Sequence, residues 1–447
     1  MIQTNQNPTN LGSLLDSGPW TFYQKRVVAL TAAAVIFDGL DIQIVGFAIP
    51  SIAKDWALPK SLFASVLAAG LFGVALGSAL GGLIGDRIGR RPALIVSVLF
   101  FAASTCGMAL TNSLIPLLLL RFCAGLGIGG ALPNAATLVS EYTPRSRRPF
   151  ATTLAIVCIP VGGVIAGLIA SFVLASHSWR LLFITSGVLP LLFGCVLLGG
   201  LPESPRFLAK DRTKRERLRK ILRDMGSPAA ESVDLTFPEE ALLVRPKLGP
   251  LALFAAGRAR DTAAIWTAFF FCLLTVYLAF NWLPSILLGC HFTLKESSEG
   301  LTLYNFGGIL GALAVGWWIS LKGSRLPMSL SAGLAILSAI LLACLVVTNP
   351  GSHTGLLLVI GVHGLAVNAV QTTLYGLATH LYATHIRSTG VAFALAIGRI
   401  GAILSAFLGA RLLSIPSTTY FLVLAATMSF VLIAILFIRN QIESVST

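Results

Sequence analysis

Twelve apolar segments, each long enough to cross a lipid bilayer, set the fold of this chain. A helix rises about 1.5 Å per residue, so about 20 apolar residues span the hydrocarbon core. Only 11% of the residues are charged, whereas a soluble protein carries about 25%. The sequence therefore predicts an all-α integral membrane protein. The predicted spans are residues 27–50, 61–84, 92–111, 116–140, 151–175, 180–201, 262–288, 298–319, 327–348, 355–382, 389–412 and 418–438.

The longest interruption divides these spans six and six. We expect five parts, namely an N-terminal segment at 1–26, a six-helix bundle at 27–201, a linker at 202–261, a second bundle at 262–438 and a tail at 439–447. The halves repeat, because Gly70 to Pro92 aligns with Asn305 to Pro327 at one constant offset. Parallel repeats of six helices predict two pseudo-symmetric bundles with a site near the midplane between them.

The formal net charge of +14 would suggest a nucleic-acid partner in a soluble chain. Here Lys and Arg concentrate in alternate loops, most densely at 206–223, so the charge indicates topology. We expect those loops and both termini to be cytoplasmic, the protein to lie in the cell inner membrane, and no nucleic-acid partner. Met1 to Trp20 lacks the pattern of a signal peptide. The seven cysteines show no metal-ligand spacing, so we expect no metal and no cofactor.

Two carboxylates, Asp38 and Asp41, lie in the middle of the first span. Each costs on the order of 3 kcal/mol to insert there. Three residues apart on a helix, they share a face that we expect to line a polar cavity. We interpret this pair as a centre that binds protons.

The turn Gly85-Asp86-Arg87-Ile88-Gly89-Arg90-Arg91-Pro92 places an acid beside a basic cluster. It resembles the signature loop of the major facilitator superfamily, which implies a gating role for its charged residues Asp86, Arg87, Arg90 and Arg91. The equivalent turn of the second half has Leu321 in place of the acid. Arg121 to Gly130 also resembles the RxxxGxGxG pattern of the superfamily.

Arg121 cannot lose its proton, so inside a span it must pair with an acid or face water. An interfacial anchor at the outer surface is one interpretation. The resemblance to proton-coupled members implies the other, an ion pair with Asp41 or, failing that, Asp38.

Further motifs narrow the family. Leu201 to Leu208 is similar to the PESPR motif of sugar and organic-ion porters, and Asp38-Gly39-Leu40-Asp41 matches the DGxD pattern of the aromatic acid:proton symporter family. His385 to Ala392, followed by Gly398-Arg399-Ile400-Gly401, resembles the same family. The resemblance covers essentially the whole chain. It implies a monomer that imports an aromatic carboxylic acid with protons by alternating access.

Arg399 falls near the middle of its span, where a guanidinium needs an anion. We expect it to receive the substrate carboxylate in a bidentate contact, as the resemblance also implies; a structural pairing with Asp38 or Asp41 is the alternative. Gln371 and Tyr375 share one helix face. The other candidates for the walls of a substrate site are Asn134, Tyr277, Asn281, Trp282, Tyr304, Asn305, His363 and Asn368.

Two other functions fit the same hydropathy. An efflux antiporter for drugs or organic ions usually carries a glycine before the proline of helix 5, which Ile159-Pro160 lacks. A nutrient sensor that does not transport would have a long signalling tail, and 439–447 is short. No nucleotide-binding, metal-ligand or Ser-His-Asp pattern indicates an enzyme.

Overall fold

The computed structural model describes residues 11–176, 178–226, 253–254, 258–348, 352–382 and 386–443. Within these ranges every regular element is a helix, and twelve helices are long and apolar enough to cross a membrane. The predicted fold class is thereby confirmed. We number them α1 (Phe22–Asp55), α2 (Ala64–Ile88), α3 (Arg90–Met108), α4 (Leu114–Tyr142), α5 (Arg148–Ser176), α6 (Trp179–Gly200), α7 (Ala259–Gly289), α8 (Leu294–Lys322), α9 (Arg325–Thr348), α10 (His353–Leu381), α11 (Arg387–Leu412) and α12 (Ser417–Phe437).

The helices extend beyond several predicted spans. The predicted first span ends at Pro50, but α1 continues through this proline to Asp55, with Ile52 and Ala53 buried against neighbouring helices. Short helices at Leu11–Ser17, Pro205–Ala209 and Arg215–Asp224 lie outside the spans. Parts of the predicted N-terminal segment, linker and tail, namely 1–10, 227–252, 255–257 and 444–447, and also His385, lie outside the described residues.

The two halves repeat the same helix pairings. In the first half α1 packs on α5, α2 on α4, and α3 on both α4 and α6. The second half pairs α7 with α11, α8 with α10, and α9 with both α10 and α12. Each pairing recurs six helices later, so the molecule consists of two pseudo-symmetric six-helix bundles. The bundles meet along α1 and α7, α2 and α11, and α5 and α8.

Glycines bring helices of the same bundle close together. A Cβ atom on Gly77 of α2 would lie 2.2 Å from the Leu126 carbonyl oxygen of α4, and one on Gly311 of α8 would lie 2.1 Å from that of Leu365 in α10. Gly77 therefore holds two helices of one bundle together and does not lie between the bundles.

The bundles touch each other toward one end of the molecule. We call the end that carries the Gly85–Pro92 loop the basic end, and the other, with Asp55 and Lys60, the opposite end. A Cβ on Gly46 of α1 would lie 2.3 Å from the Phe280 carbonyl of α7, and the turn Lys60–Phe63 contacts α11. These contacts close the gap between the two bundles at the opposite end.

The close approach of α2 and α4 predicts different effects at two neighbouring glycines. Gly77→Ala should cost about 1–3 kcal/mol, because its methyl group overlaps backbone that cannot move alone. Gly82→Ala on the same helix has no atom within 4 Å of its added Cβ and should change stability by less than about 0.5 kcal/mol. Thermal unfolding of the purified variants measures both, and equal melting temperatures would contradict this account of the packing.

Candidate functional site

Asp41 and Arg121 form a buried ion pair between α1 and α4. The distance from Arg121 Nη1 to Asp41 Oδ2 is 2.8 Å. The same guanidinium donates to the backbone carbonyls of Asp41, at 3.0 Å, and Ile42, at 2.9 Å. Arg121 is only 5% exposed. It therefore lies inside the bundle and is not an interfacial anchor.

Two further helices complete the surroundings of this pair. Thr105 of α3 donates a hydrogen bond to the second carboxylate oxygen of Asp41. Gly70 of α2 leaves room for the arginine, because a Cβ there would lie 2.7 Å from Arg121 Nε. The first four membrane-spanning helices, α1 to α4, thus meet at this ion pair. Thr105, a polar residue in an apolar span, was not predicted as part of the site.

Asp38 lies on the same helix and is buried without a partner for one of its oxygens. Its Oδ1 makes no hydrogen bond within the part of the chain that the structure describes. The charges of Asp41 and of Arg399, in the other half, both act on it electrostatically. Asp38 therefore faces the gap between the halves, with one acceptor available to a proton or a ligand.

Arg399 of α11 stands on the other side of this gap. Its Nη1 donates to the Tyr277 hydroxyl of α7 at 3.0 Å. Its charge also acts on Tyr375 of α10, whose ring packs edge-on against Phe269. Arg399 has no ion pair within 4 Å among the described residues, so the structure does not pair it directly with either aspartate. A guanidinium held by a phenol and partly exposed can bind a carboxylate.

The side chains along the gap differ in exposure. Arg399, Gln371 and Tyr375 are partly exposed, whereas Asn281 and Asn305, nearer the opposite end, are buried. The Nδ2 group of Asn281 makes no hydrogen bond among the described residues. Of the two asparagines Asn281 and Asn305, Asn281 is therefore the one whose side-chain amide has a free donor.

Gln43 and Asn305 join the two halves by a pair of amide hydrogen bonds. Gln43 Nε2 donates to Asn305 Oδ1 at 3.1 Å, and Asn305 Nδ2 donates to Gln43 Oε1 at 2.8 Å. Gly163 of α5 packs against both, since a Cβ there would overlap each amide. Asn305, predicted as a wall residue, thus closes the gap toward the opposite end. Gln43 was missed, although it follows Asp41 by two residues in the same span.

Three predicted wall residues lie within the second bundle, away from the gap. Trp282 packs against Gly409, where a Cβ would lie 2.1 Å from the indole ring. Tyr304 packs between the rings of Phe280 and His363. His363 Nδ1 lies 3.0 Å from the Ser338 hydroxyl oxygen and 3.1 Å from the Ala335 carbonyl oxygen. These contacts are those of core packing among the helices of the second bundle, α7 against α11 for Trp282, α8 against α7 and α10 for Tyr304, and α10 against α9 for His363.

Asn134 lies near the basic end and not in the gap. The sequence suggests that Pro133 loosens α4 there, but the helix continues through it to Tyr142. The amide of Asn134 donates to the carbonyls of Gly81, at 2.9 Å, and Gly130, at 2.8 Å. Arg90 of the basic loop contacts its oxygen at 3.3 Å. Asn134 therefore supports the loop that follows α2.

The basic loop is fastened to the end of the first bundle. Asp86 pairs with Arg90 one helical turn later, and Arg87 is exposed. Glu203 Oε1 accepts hydrogen bonds from the backbone N–H groups of Arg90, at 2.9 Å, and Arg91, at 3.1 Å. Glu203 therefore caps the N-terminus of α3, where a carboxylate is stabilised by the helix dipole. This capping role of the PESPR-like motif was not predicted.

Gly89 allows this close contact. Its φ of 110° lies in the region that favours glycine, and a Cβ there would lie 2.3 Å from Glu203 Oε2.

Known proteins share the family and the fold of this chain. Residues 31–406 match the model of the Major Facilitator Superfamily. The 4-hydroxybenzoate transporter PcaK of Pseudomonas putida is 33% identical over 418 residues, which are 92% of each chain. The gallate transporter of the same organism is 30% identical over 410 residues, 91% of this chain and 90% of that one. The inward-open xylose transporter XylE from E. coli superimposes with a TM-score of 0.72 at 18% identity, over 95% of this chain and 98% of that one.

The bridge between Gln43 and Asn305 predicts coupling between the two residues. Gln43→Leu and Asn305→Leu should each lower stability, because each leaves one buried amide unpaired. The double variant should lose less than the sum, by about 1–2 kcal/mol, as expected for two hydrogen bonds between membrane helices. A double-mutant cycle on thermal unfolding measures this difference. Strictly additive losses would show that the bridge contributes nothing.

Proposed function

Because the chain belongs to the Major Facilitator Superfamily and is a multi-pass transporter, not an enzyme, we propose that it imports an aromatic carboxylic acid together with protons by alternating access. The observation that carries this proposal is Arg399, which donates to Tyr277, has no ion pair among the described residues and faces Asp38 across the gap. The relatives that transport 4-hydroxybenzoate and gallate support the class of substrate.

In the proposed cycle Arg399 receives the substrate carboxylate. Its planar donors match the two oxygens of a carboxylate, and the rings of Tyr277 and Tyr375 offer flat apolar surface for an aromatic ring. Gln371 shares the face of Tyr375, and the free Nδ2 of Asn281 is a second donor. These residues form the proposed substrate site.

Asp41 is the proposed site of proton uptake. Protonation of its carboxylate removes the negative charge that holds Arg121 and frees the first bundle to change its packing. Asp38 remains the alternative acid, since it faces the gap directly. One proton per monoanion moves no net charge, whereas a second proton would draw on the membrane potential.

The proposal includes a topology. We assign the basic end and both termini to the cytoplasm and the protein to the inner membrane, because Lys and Arg concentrate at that end. The parts are those expected from the sequence, with bundles at 27–201 and 262–438. In this topology the structure is closed to the outside, and Asp86, Arg87, Arg90 and Arg91 belong to a cytoplasmic gating loop. The proposed working unit is the monomer.

Uptake into proteoliposomes tests coupling and substrate class together. We expect an inward proton gradient to drive accumulation of a labelled aromatic acid, such as 4-hydroxybenzoate or gallate, but not of matched aliphatic acids or organic cations. Asp41→Asn should reduce accumulation to the equilibrium level and leave exchange of substrate measurable. Asp211→Asn, a carboxylate of the linker outside the spans, is the matched control and should accumulate substrate normally.

Other outcomes would select other functions. Export driven by the gradient, or accumulation of cations, would support an efflux antiporter and remove the proposed role of Arg399. Saturable binding without any transport would support a sensor. Unchanged accumulation by the Asp41→Asn variant would contradict its proposed coupling role.

The Tyr277 hydroxyl provides a finer test of the substrate site. Tyr277→Phe removes one hydrogen bond that orients Arg399 and should raise the KM about 2- to 10-fold. Arg399→Lys loses the bidentate geometry and should raise it by more than about 10-fold. Tyr420→Phe is the matched control, because this buried hydroxyl has no hydrogen-bond partner among the described residues. Uptake kinetics measure all three, and equal effects of the two tyrosine variants would contradict the assignment.

A further inference from the structure

A cavity lies between the two halves at the opposite end, about three helical turns along α11 from Arg399. Its volume is about 500 Å³. The first half contributes the turn that contains Lys60 and Ser61, and the second half contributes Ser285 of α7 and the segment from Arg411 to Ser417. No acidic residue is among those that line it.

The cavity carries two positive charges, those of Lys60 and Arg411. Neither Lys60 nor Arg411 forms an ion pair with any residue that the structure describes. They come from different halves and line one space. Two like charges facing a common cavity attract anions and concentrate them there.

A buried hydroxyl points to a ligand in the same cavity. Ser285 is 2% exposed, and its Oγ makes no hydrogen bond among the described residues. A buried hydroxyl without a partner costs free energy, which an acceptor in the cavity would recover. In addition, α12 begins here at Ser417 without a side-chain cap, which places the positive end of its helix dipole at the cavity.

We propose that this cavity binds a small oxyanion, through its carboxylate or phosphate group, between Lys60 and Arg411. An anion held by both cations contacts both halves at once. The anion binds best while the two halves are in contact at the opposite end. It therefore stabilises the state that is closed at this end. In the topology proposed above, anions outside the cell would slow the reopening of the transporter. The site itself depends on neither transport direction nor substrate.

Titration of purified, delipidated full-length protein with inorganic phosphate, at constant ionic strength set by NaCl, tests the site. Phosphate at about ten times its Kd should raise the melting temperature by about 1–2 °C. Hydrogen exchange should slow in residues 57–63 and 411–417. In the double variant Lys60→Gln/Arg411→Gln the apparent Kd should rise at least about tenfold. Ser285→Ala should weaken binding by a smaller factor.

The matched control is Lys54→Gln/Lys295→Gln. These two lysines lie at the same end and are exposed, but they do not line the cavity. This variant should keep the full response to phosphate. An absent response in the unsubstituted protein, or the same response in both double variants, would overturn the proposal.

Phosphatidylglycerol added to the delipidated protein distinguishes the source of the anion. Competition with phosphate that requires Lys60 and Arg411 would support the site and identify lipid headgroups as further ligands. If phosphatidylglycerol protects these segments and phosphate does not, the inference of a soluble anion is overturned.

Discussion

The ion pair between Arg121 and Asp41 is the interaction on which the first bundle depends. Removing either charge from water costs several kcal/mol, and only a close partner in good geometry offsets this cost. Here three carbonyl or carboxylate oxygens meet the guanidinium within 3.0 Å, and four helices supply the surroundings. An arginine keeps its charge, so protonation of Asp41 leaves the guanidinium without a counter-charge. We therefore expect these helices to move when Asp41 is protonated.

The sequence predicted those features that depend on short stretches of chain. Twelve spans were recognised because insertion into lipid requires about 20 apolar residues in a row. The pairing of Arg121 with an acid of α1 was implied by the resemblance of Arg121 to Gly130 to the superfamily pattern, with Asp41 or Asp38 as the acid. Helix ends were less predictable. Pro50 reads as a helix end, but packing around Ile52 and Ala53 carries α1 to Asp55.

Contacts between distant helices left no comparable signal. Asn305 and Trp282 were both predicted to line the substrate site. Asn305 bonds to Gln43 of the other half, whereas Trp282 packs on Gly409 inside the second bundle. Which way such a side chain points depends on the rotation of its helix, and small changes in helix packing decide it. Glu203 caps α3 by accepting a hydrogen bond from Arg91, although the two residues are 112 positions apart in the sequence. A local sequence pattern cannot indicate such a contact.

Close backbone contacts occur within each bundle and, at Gly46 of α1 and Phe280 of α7, also between the bundles. Glycines such as Gly77 and Gly311 hold neighbouring helices of one bundle at backbone contact, which allows little sliding. Between the bundles, Gln43 and Asn305 contribute two hydrogen bonds, each worth about 1 kcal/mol. Separation of the bundles at the opposite end would break these hydrogen bonds and the contact at Gly46, whereas the glycine contacts inside each bundle need not change. An equilibrium of this kind is shifted by a few kcal/mol, which is the scale on which one carboxylate, one proton or one bound anion acts.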